Sequence, residues 1–311
     1  MSLRSEKIEK LVTIARLYYE ENKNQNEIAK ALGISRPLVS RYLAEAKDLG
    51  IVKIQIKSPV EEERLILDRL EEKFGLRGGC AVETRLNEAD TNRDIADAVI
   101  DGLEQLSASA VGIGWGSIIG VICQQLRKKP SIERGIQVYP LVGNGGVLNP
   151  DYHPSEIISV FAAKTGGTAR YWSAPAFVDS AEEMKRLKDT ESYRTMESGW
   201  KSMKVAFVNI GNYPSVPDFA TAASYGTKLT DQKAAGKLLS YYYDSAGRII
   251  KPNIDCTMQI PLEILCKRKF VVGICGANVH PKALTGALKT GIFTHVVAAK
   301  ETLLQVLNQT E

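Results

Sequence analysis

The stretch QNEIAKALGISRPLVSRYLA, residues 25–44, decides the fold of the first part of the chain. Gly33 can adopt the left-handed backbone conformation that ends a helix, and Ser35 is a preferred residue at the start of the next one. Pro37 suits the first turn of that second helix, where no backbone N–H is required. The pattern therefore predicts a helix-turn-helix. The apolar positions at helical spacing are Ile28, Ala29 and Leu32 before the turn and Val39, Tyr42, Leu43 and Ala46 after it.

The outward face of the second helix is basic, since it carries Arg36, Ser40, Arg41 and Lys47. A short helix that presents positive charge in this way is typical of the helix that enters the major groove of DNA. A helical hairpin of another kind would share the glycine turn and the apolar stripes. It would have no reason to collect basic residues on one face, so the sequence favours DNA binding.

A strand is predicted directly after this helix, in GIVKIQIKSP at residues 50–59. Apolar and polar residues alternate there, as they do in a strand that is buried on one side only. Such a strand forms the wing of a winged helix-turn-helix and places lysines near phosphates. Arg36, Ser40 and Arg41 are expected to contact base edges, and the lysines to contact phosphates. The residues predicted to bind DNA are Gln25, Ser35, Arg36, Pro37, Ser40, Arg41, Lys53 and Lys57.

The basic excess of the chain lies in this first part. Through Lys57 the sequence has 11 Lys and Arg against 7 Asp and Glu, whereas the remainder of the 311 residues has 29 of each. The net charge of +4 is therefore carried by the DNA-binding head. The larger remainder is expected to have no general affinity for polyanions.

Cysteine and histidine usage gives no sign of a metal site. The five cysteines lack CxxC spacing and the chain has three histidines, which predicts reduced thiols in the cytoplasm and no bound metal. The charged N-terminus does not resemble a signal peptide, and no apolar run is long enough to span a membrane. We expect a cytoplasmic protein without a membrane partner.

Three segments are predicted along the chain: a winged helix-turn-helix domain at 1–58, a linker helix at 59–78, and an effector-binding and oligomerisation domain at 79–311. The linker helix has an apolar stripe of Leu67, Leu70 and Phe74. That stripe either packs on its own domain or forms a short dimer contact. Beyond Gly79, apolar strands alternate with helices, which predicts an α/β fold with a mostly parallel sheet covered on both faces. The predicted strands are 80–83, 109–115, 136–142, 204–211, 270–276 and 295–299, with a hairpin at 241–250.

Ligands of such sheets bind beyond the carboxyl ends of the strands. GIGWGS at 112–117 is a glycine-rich strand end followed at once by a helix, whose first N–H groups attract anions. It lacks the spacing of a dinucleotide fingerprint or a P-loop, and the alternative is an ordinary tight turn. The other polar strand ends are Gly143-Asn144, Gly211-Asn212 and Gly276-Ala277-Asn278, the last followed by His280 and Lys282.

Together these motifs resemble the SorC/DeoR-type bacterial sugar-responsive transcriptional regulators over nearly the whole chain. The matching segments include residues 15–52, VGIGWGSII (111–119), VYPLVGNGG (138–146), VAFVNIG (205–211), SYYYDSAGRII (240–250) and residues 271–303. The resemblance implies a Rossmann-like, sugar-phosphate-isomerase-like effector domain behind the winged head. It also implies a homodimer or homotetramer on an operator that controls carbohydrate catabolism.

The resemblance implies ligand contacts by the loop 114–117 and by Lys282. Relatives usually carry an Asp that contacts the sugar where this chain has Lys237, and they carry two carboxylates in the run that is GANVHPK here (276–282). These departures favour a more anionic ligand or a site whose polar pattern has drifted. The residues predicted to bind the effector are Gly114, Trp115, Gly116, Ser117, Gly143, Asn144, Asn212, Lys237 and Lys282.

The sequence therefore predicts a regulator that binds operator DNA and a sugar or sugar phosphate, with no cofactor. A second interpretation is a sugar-phosphate isomerase or deaminase with an accessory DNA-binding head. Such chemistry needs a general base, and the available positions hold Lys237, Asn144 and Asn212 instead. No GxSxG or HExxH motif is present, so no catalytic residue is predicted. A third interpretation is a constitutive DNA binder with a degenerate sugar domain.

Overall fold

The N-terminal helices are built around the glycine turn. The computed structural model describes residues 3–53, 59–105, 107–145, 153–214 and 224–309, and the chain divides into two units, Met1–Pro59 and Val60–Glu311. The first unit contains α1 (Leu3–Tyr19), α2 (Gln25–Leu32) and α3 (Arg36–Asp48). Gly33 ends α2 with φ 63° and ψ 31°, in the left-handed region. This confirms the turn that the sequence predicts.

Both helices of the motif are capped at their first turns. At the start of α2 the Asn24 side chain accepts hydrogen bonds from two backbone N–H groups, while the Glu27 carboxylate accepts one from the Asn24 N–H at 2.9 Å. At the start of α3 the Ser35 hydroxyl accepts from the Leu38 N–H at 3.4 Å, and Pro37 lies in the first turn. These contacts satisfy N–H groups that a helix leaves without intrahelical partners.

The core of the first unit is a small cluster formed by Ile14, Ile28, Val39 and Leu43. The predicted inner face of α3 is confirmed. On α2 the prediction is wrong for Leu32, which is 40% exposed. Ile34, just beyond the turn, packs against the cluster instead. Of the predicted wing, Gly50 to Lys53 form a turn-like segment, and residues 54–58 with Lys57 lie outside the described residues.

The helix predicted as a linker, α4 (Pro59–Phe74), packs on the second unit. Its Leu70 is fully buried and Ile66 is 3% exposed, both within the core of that unit. Leu67 and Phe74 are partly buried against the same core. Packing on this domain therefore accounts for the apolar stripe, and a dimer contact of α4 stays a prediction.

Among the described residues, the second unit contains a ten-stranded sheet with helices on both faces. The strands are β1 (Gly79–Val82), β2 (Ala110–Ile113), β3 (Gln137–Pro140), β4 (Thr168–Ala169), β5 (Val205–Asn212), β6 (Ala234–Leu238), β7 (Tyr241–Asp244), β8 (Ile249–Ile250), β9 (Phe270–Cys275) and β10 (His295–Ala299). Seven of these strands run parallel in the order β1-β10-β9-β5-β2-β3-β4, and β6, β7 and β8 extend from β5 as an antiparallel meander. The predicted parallel α/β fold and the hairpin are confirmed.

Strand β6 was not predicted, because its sequence AAGKL is rich in residues that are uncommon in strands. Gly236 explains how it fits. A Cβ atom there would lie 2.5 Å from the Tyr243 hydroxyl and 2.6 Å from the Gly211 carbonyl oxygen. Only glycine lets β6 pair this closely with β5 and β7.

Two hydrophobic cores lie on the two faces of the sheet. The helices of one face are α5 (Glu88–Gln105), α6 (Ser117–Lys128) and α7 (Pro154–Lys164). The other face is covered by α4, α8 (Ala181–Lys188), α9 (Glu191–Ser202), α11 (Leu262–Leu265), α12 (Pro281–Lys289) and α13 (Lys300–Asn308), while α10 (Lys228–Asp231) precedes β6. In the described part of the chain, no helix is long and apolar enough to cross a membrane.

Strand β5 shows the two faces most clearly, because its side chains alternate between the cores. Val205 and Phe207 belong to the core under α5, α6 and α7, whereas Ala206, Val208 and Ile210 belong to the opposite core. The same alternation places Asn209 and Gly211 on the α6 side. The polar end of this strand therefore faces the start of α6.

We predict that Gly33→Ala destabilises the head by roughly 1–2 kcal/mol, because a Cβ disfavours the left-handed conformation. The position is open, with no atom within 4 Å of the added Cβ, so the effect is one of backbone conformation alone. Hydrogen exchange of residues 25–48 in the full chain measures it. Gly33→Asn is the control and should cost less, since Asn tolerates this conformation. Equal exchange for Ala and Asn variants would contradict the prediction.

Candidate functional site

The exposed face of α3 presents two arginine side chains toward solvent. Arg36, Ser40 and Arg41 are exposed, and Arg36 and Ser40 are one helical turn apart. Neither guanidinium has a carboxylate within ion-pair distance among the described residues. The Arg41 guanidinium lies 5.9 Å from the centre of the Tyr42 ring, which is half-buried at the edge of the core. The face is therefore both held in place and available to an anionic partner.

The remaining residues predicted to bind DNA surround this face. Ser35 and Pro37 are exposed at the start of α3, but the Ser35 hydroxyl serves as a helix cap. Gln25 is half-buried at the start of α2, and Lys53 is exposed beyond α3. Lys57 lies outside the described residues. The geometry brings the α3 residues together.

The second candidate site is at the carboxyl ends of β2 and β5. Gly116 precedes α6 with φ 135° and caps it without a side-chain hydrogen bond, so the first N–H groups of α6 remain available. Ser117 is exposed at this end, and Trp115 is half-buried with its ring 6.3 Å from that of Phe177. Gly114 is buried and donates its N–H to the Phe207 carbonyl oxygen at 2.8 Å. Gly114 therefore serves packing, and residues 115–117 are the more exposed part of the loop.

Two of the predicted carboxamides are used inside the protein. Asn144 donates through Nδ2 to the Trp172 carbonyl oxygen at 3.1 Å and accepts from the Ser155 hydroxyl at 3.1 Å. Its backbone bonds Ala174 and Ala176 as well. A Cβ at Gly143 would lie 2.5 Å from the Pro175 carbonyl oxygen. Gly143 and Asn144 therefore brace the end of β3 against the segment 172–176.

Asn212 has a similar bracing role at the end of β5. Its Nδ2 donates to the Asn278 carbonyl oxygen at 3.0 Å, and its Oδ1 accepts from the His280 N–H at 2.8 Å. From the other side, Asn92 of α5 accepts from the Ala277 N–H at 2.8 Å. The loop 276–280 between β9 and α12 is thus held by two carboxamides, and it positions Lys282 in the first turn of α12.

Lys237 lies beside the end of β5. It pairs in register with Gly211 across β5 and β6, and a Cβ at Gly211 would lie 3.5 Å from its Cγ. Its ammonium nitrogen is 6.0 Å from the centre of the Tyr242 ring. Lys282 is exposed. The structure therefore places the predicted Lys237 at the carboxyl end of β5, the strand next to β2, which the 115–117 loop follows.

Residues 115–117 and Lys237 form a cluster at the carboxyl ends of β2 and β5. Asn209 belongs to this cluster and was not predicted from the sequence. It is partly buried, and its Cγ and Cβ lie 2.7 and 2.9 Å from the position of a Cβ at Gly116. Its Nδ2 lies 3.7 Å from the corresponding position at Gly211. The sequence signal that could have identified it is a polar residue within the apolar run VAFVNIG. Asn209 follows Val205 and Phe207 at intervals of two residues and therefore lies on the same face of the strand.

A cavity of about 430 Å³ lies further along the same edge of the sheet. It is lined by residues after β1, the start of α5, the loop 277–281 and the start of α13. None of the nine predicted effector residues lines it. The cavity and the ends of β2 and β5 are connected through the loop 276–280, which contributes to the cavity wall and is hydrogen-bonded by Asn212.

Cysteine chemistry and metal chemistry receive no support from the described part of the chain. None of the five cysteines, all of which lie within the described residues, forms a disulfide, and burial raises the pKa of the Cys80 and Cys275 thiols to about 12. A thiol with such a pKa is not a nucleophile at neutral pH. No group of three His, Cys, Asp or Glu among the described side chains could hold a metal ion.

Comparison with known families identifies a DNA-binding domain and a sugar-binding domain in the chain. A winged helix-turn-helix DNA-binding family matches residues 14–53, and a sugar-binding domain family matches residues 58–308. The second match covers most of the chain, which therefore belongs to the SorC/DeoR-type sugar-binding transcriptional regulators. The predicted family and fold class are both confirmed.

Individual relatives align over nearly the full length. The chain is 27% identical to the sorbitol operon regulator of Klebsiella pneumoniae, over 96% of this chain and 97% of that protein. It is 29% identical to the deoxyribonucleoside regulator of Bacillus subtilis (strain 168), over 94% and 95%. The crystal structure of full-length SorC from Klebsiella pneumoniae superposes with a TM-score of 0.71 at 26% identity, covering 96% of this chain and 98% of that chain.

We predict that Arg41→Ala weakens binding to the cognate operator by about 1–3 kcal/mol, as expected for loss of a bidentate contact with guanine. Lys53→Ala is the comparison and should weaken binding to all DNA alike, with a smaller dependence of affinity on salt. Fluorescence anisotropy with operator and scrambled duplexes at several salt concentrations separates the two. Unchanged affinity and sequence preference in Arg41→Ala would show that α3 does not read bases through this residue.

Proposed function

We propose that this protein regulates a carbohydrate catabolic operon by binding operator DNA, and that a small phosphorylated or acidic sugar gates the binding. The observation that carries the proposal is the pairing of two sites in one chain. One is the basic face of α3, and the other is the strand-end cluster of Gly116, Ser117 and Lys237 in a sugar-binding domain. The effector would bind beside a subunit interface and shift populations between assemblies with different operator affinity.

The anionic character of the ligand is supported by the charges around the cluster. The first N–H groups of α6 have no side-chain cap, and helix N-termini favour anions. Lys237 lies beside the end of β5, and Lys282 is exposed in the first turn of α12. A lysine near a helix N-terminus opposes the helix dipole, and a bound anion would relieve that opposition.

The carbohydrate character of the ligand is supported by the relatives. Two of them are named for sorbitol and for deoxyribonucleosides, a polyol and a group of sugar-containing compounds. The family resemblance implies an Asp in relatives where this chain has Lys237, so a neutral polyol is less well served here than a phosphorylated or carboxylated one. This difference is the reason to expect an acidic ligand.

The proposal is that the chain acts without catalysis. An isomerase or deaminase needs a general base near the reacting carbon. Asn144 and Asn212 cannot accept a proton in this role, and their carboxamides are already used in bracing contacts. Lys237 would have to lose its charge before it could act as a base. These observations support a binding site over an active site.

We predict that Lys282→Ala abolishes the effect of the ligand on operator binding and leaves the ligand-free affinity for operator near that of the wild type. The reason is that Lys282 belongs to the sugar-binding domain, whereas α3 belongs to the DNA-binding unit. Operator titrations with and without members of a sugar-phosphate panel measure the effect. Lys289→Ala is the matched control, since it removes an exposed lysine from the last turn of the same helix. An anionic ligand would be refuted if only the neutral sugars of the panel stabilised the protein and if they stabilised the wild type and Lys282→Ala equally.

We also predict that operator binding requires at least a homodimer, and a homotetramer is the other expected state. One winged head buries little DNA surface, so specific recognition should need repeated half-sites. Sedimentation velocity at micromolar protein, alone and with operator, gives the stoichiometry. A single protomer bound with full specificity to one half-site would be incompatible with this assembly.

A further inference from the structure

Asn209 has an unusual position for a carboxamide. It follows Val205 and Phe207 on the α6 side of β5, and these two side chains are 1% and 2% exposed in the core. Asn209 is therefore the point at which an apolar stripe becomes polar. It is partly buried and pairs in register with Ile274 of the neighbouring β9.

The side chain of Asn209 has no hydrogen-bond partner among the described residues. This distinguishes it from Asn212, the last residue of the same strand, and from Asn144, which follows β3. Both ends of each of those carboxamides bond other parts of the protein. A partly buried carboxamide without such partners loses hydration and gains nothing in return within the protein. Asn209 therefore does not brace the fold through hydrogen bonds, as Asn144 and Asn212 do.

The surroundings of Asn209 are those of the proposed effector site. Its Cγ would be 2.7 Å from a Cβ at Gly116, so the carboxamide lies against the residue that opens α6. On its other side, Asn209 Nδ2 and Lys237 Cγ lie 3.7 and 3.5 Å from the same point, a Cβ at Gly211. Gly116 lets the carboxamide approach the backbone this closely, and only Gly211 leaves room for an added Cβ beside it. Asn209 thus stands between the first turn of α6 and Lys237, which are the two features that favour an anion.

We infer that Asn209 is a specificity-determining residue of the effector site. Its carboxamide hydrogen-bonds a hydroxyl or carbonyl oxygen of the ligand next to the anionic group that α6 and Lys237 bind. The ligand class is therefore a phosphorylated or carboxylated polyol with an oxygen substituent close to the anion, and inorganic phosphate alone satisfies only part of the site. This inference rests on the proposed function, because it names a contact of the same site.

The test is titration calorimetry of the full-length protein with a panel of sugar phosphates, each paired with its deoxy analogue, and with inorganic phosphate. In the wild type, at least one pair should differ by about 3- to 10-fold in Kd, the usual effect of one hydrogen bond. In Asn209→Ala the two members of that pair should bind equally, and inorganic phosphate should bind as in the wild type. Asn209→Asp is the second variant and should weaken inorganic phosphate as well, because a carboxylate repels the anion.

Controls separate loss of the contact from loss of folding. Melting of each ligand-free variant reports its stability. Asn87→Ala removes a carboxamide that caps α5 after β1, three strands away from β5, and should keep the wild-type difference within the pair. The inference is overturned if Asn209→Ala retains that difference, if no pair differs in the wild type, or if Asn209→Asp binds inorganic phosphate normally. If no member of the panel binds the wild type, the proposed function itself fails.

Discussion

The pairing of β5 with its neighbours is the constraint on which the candidate effector site depends. Residues Val205 to Ile210 pair with β9, the first three also pair with β2, and the last three of the strand pair with β6. Both faces of β5 are buried, so its register is strongly specified. A shift by one residue would exchange the faces and move Asn209 into the opposite core. The polar cluster is therefore positioned by the apolar residues beneath it.

Much of the fold follows from local sequence pattern. The head could be predicted because each part of the motif is decided by neighbouring residues: a glycine that tolerates positive φ, a serine that caps, and apolar residues at helical spacing. The parallel sheet could be predicted because its strands are apolar on both sides. The burial of Leu32 was predicted wrongly and β6 was not predicted, both because tertiary packing decides them. Ile34 replaces Leu32 by tertiary packing, and β6 forms through close contacts with Tyr243 and Gly211.

The candidate site was predictable in its location and less so in its details. Strand ends with glycine and asparagine indicate where a ligand binds. They do not show which carboxamide already hydrogen-bonds other parts of the protein, because its partners lie far along the chain. Asn212 bonds His280, 68 residues away, and Asn144 bonds Trp172, 28 residues away. Asn209 has no such partner in the described part of the chain. Only the three-dimensional arrangement separates the two braces from the carboxamide that faces the site.

The two carboxamides that hold the loop 276–280 have a mechanical consequence. Asn92 belongs to α5 on one face of the sheet, and the loop leads into α12 on the other face. Asn212 fastens the same loop to the central strand between them. At this edge the two helix layers cannot slide past each other without breaking these bonds. The end of β5 and the start of α12 are therefore connected directly by side-chain hydrogen bonds, in addition to the covalent path through the chain.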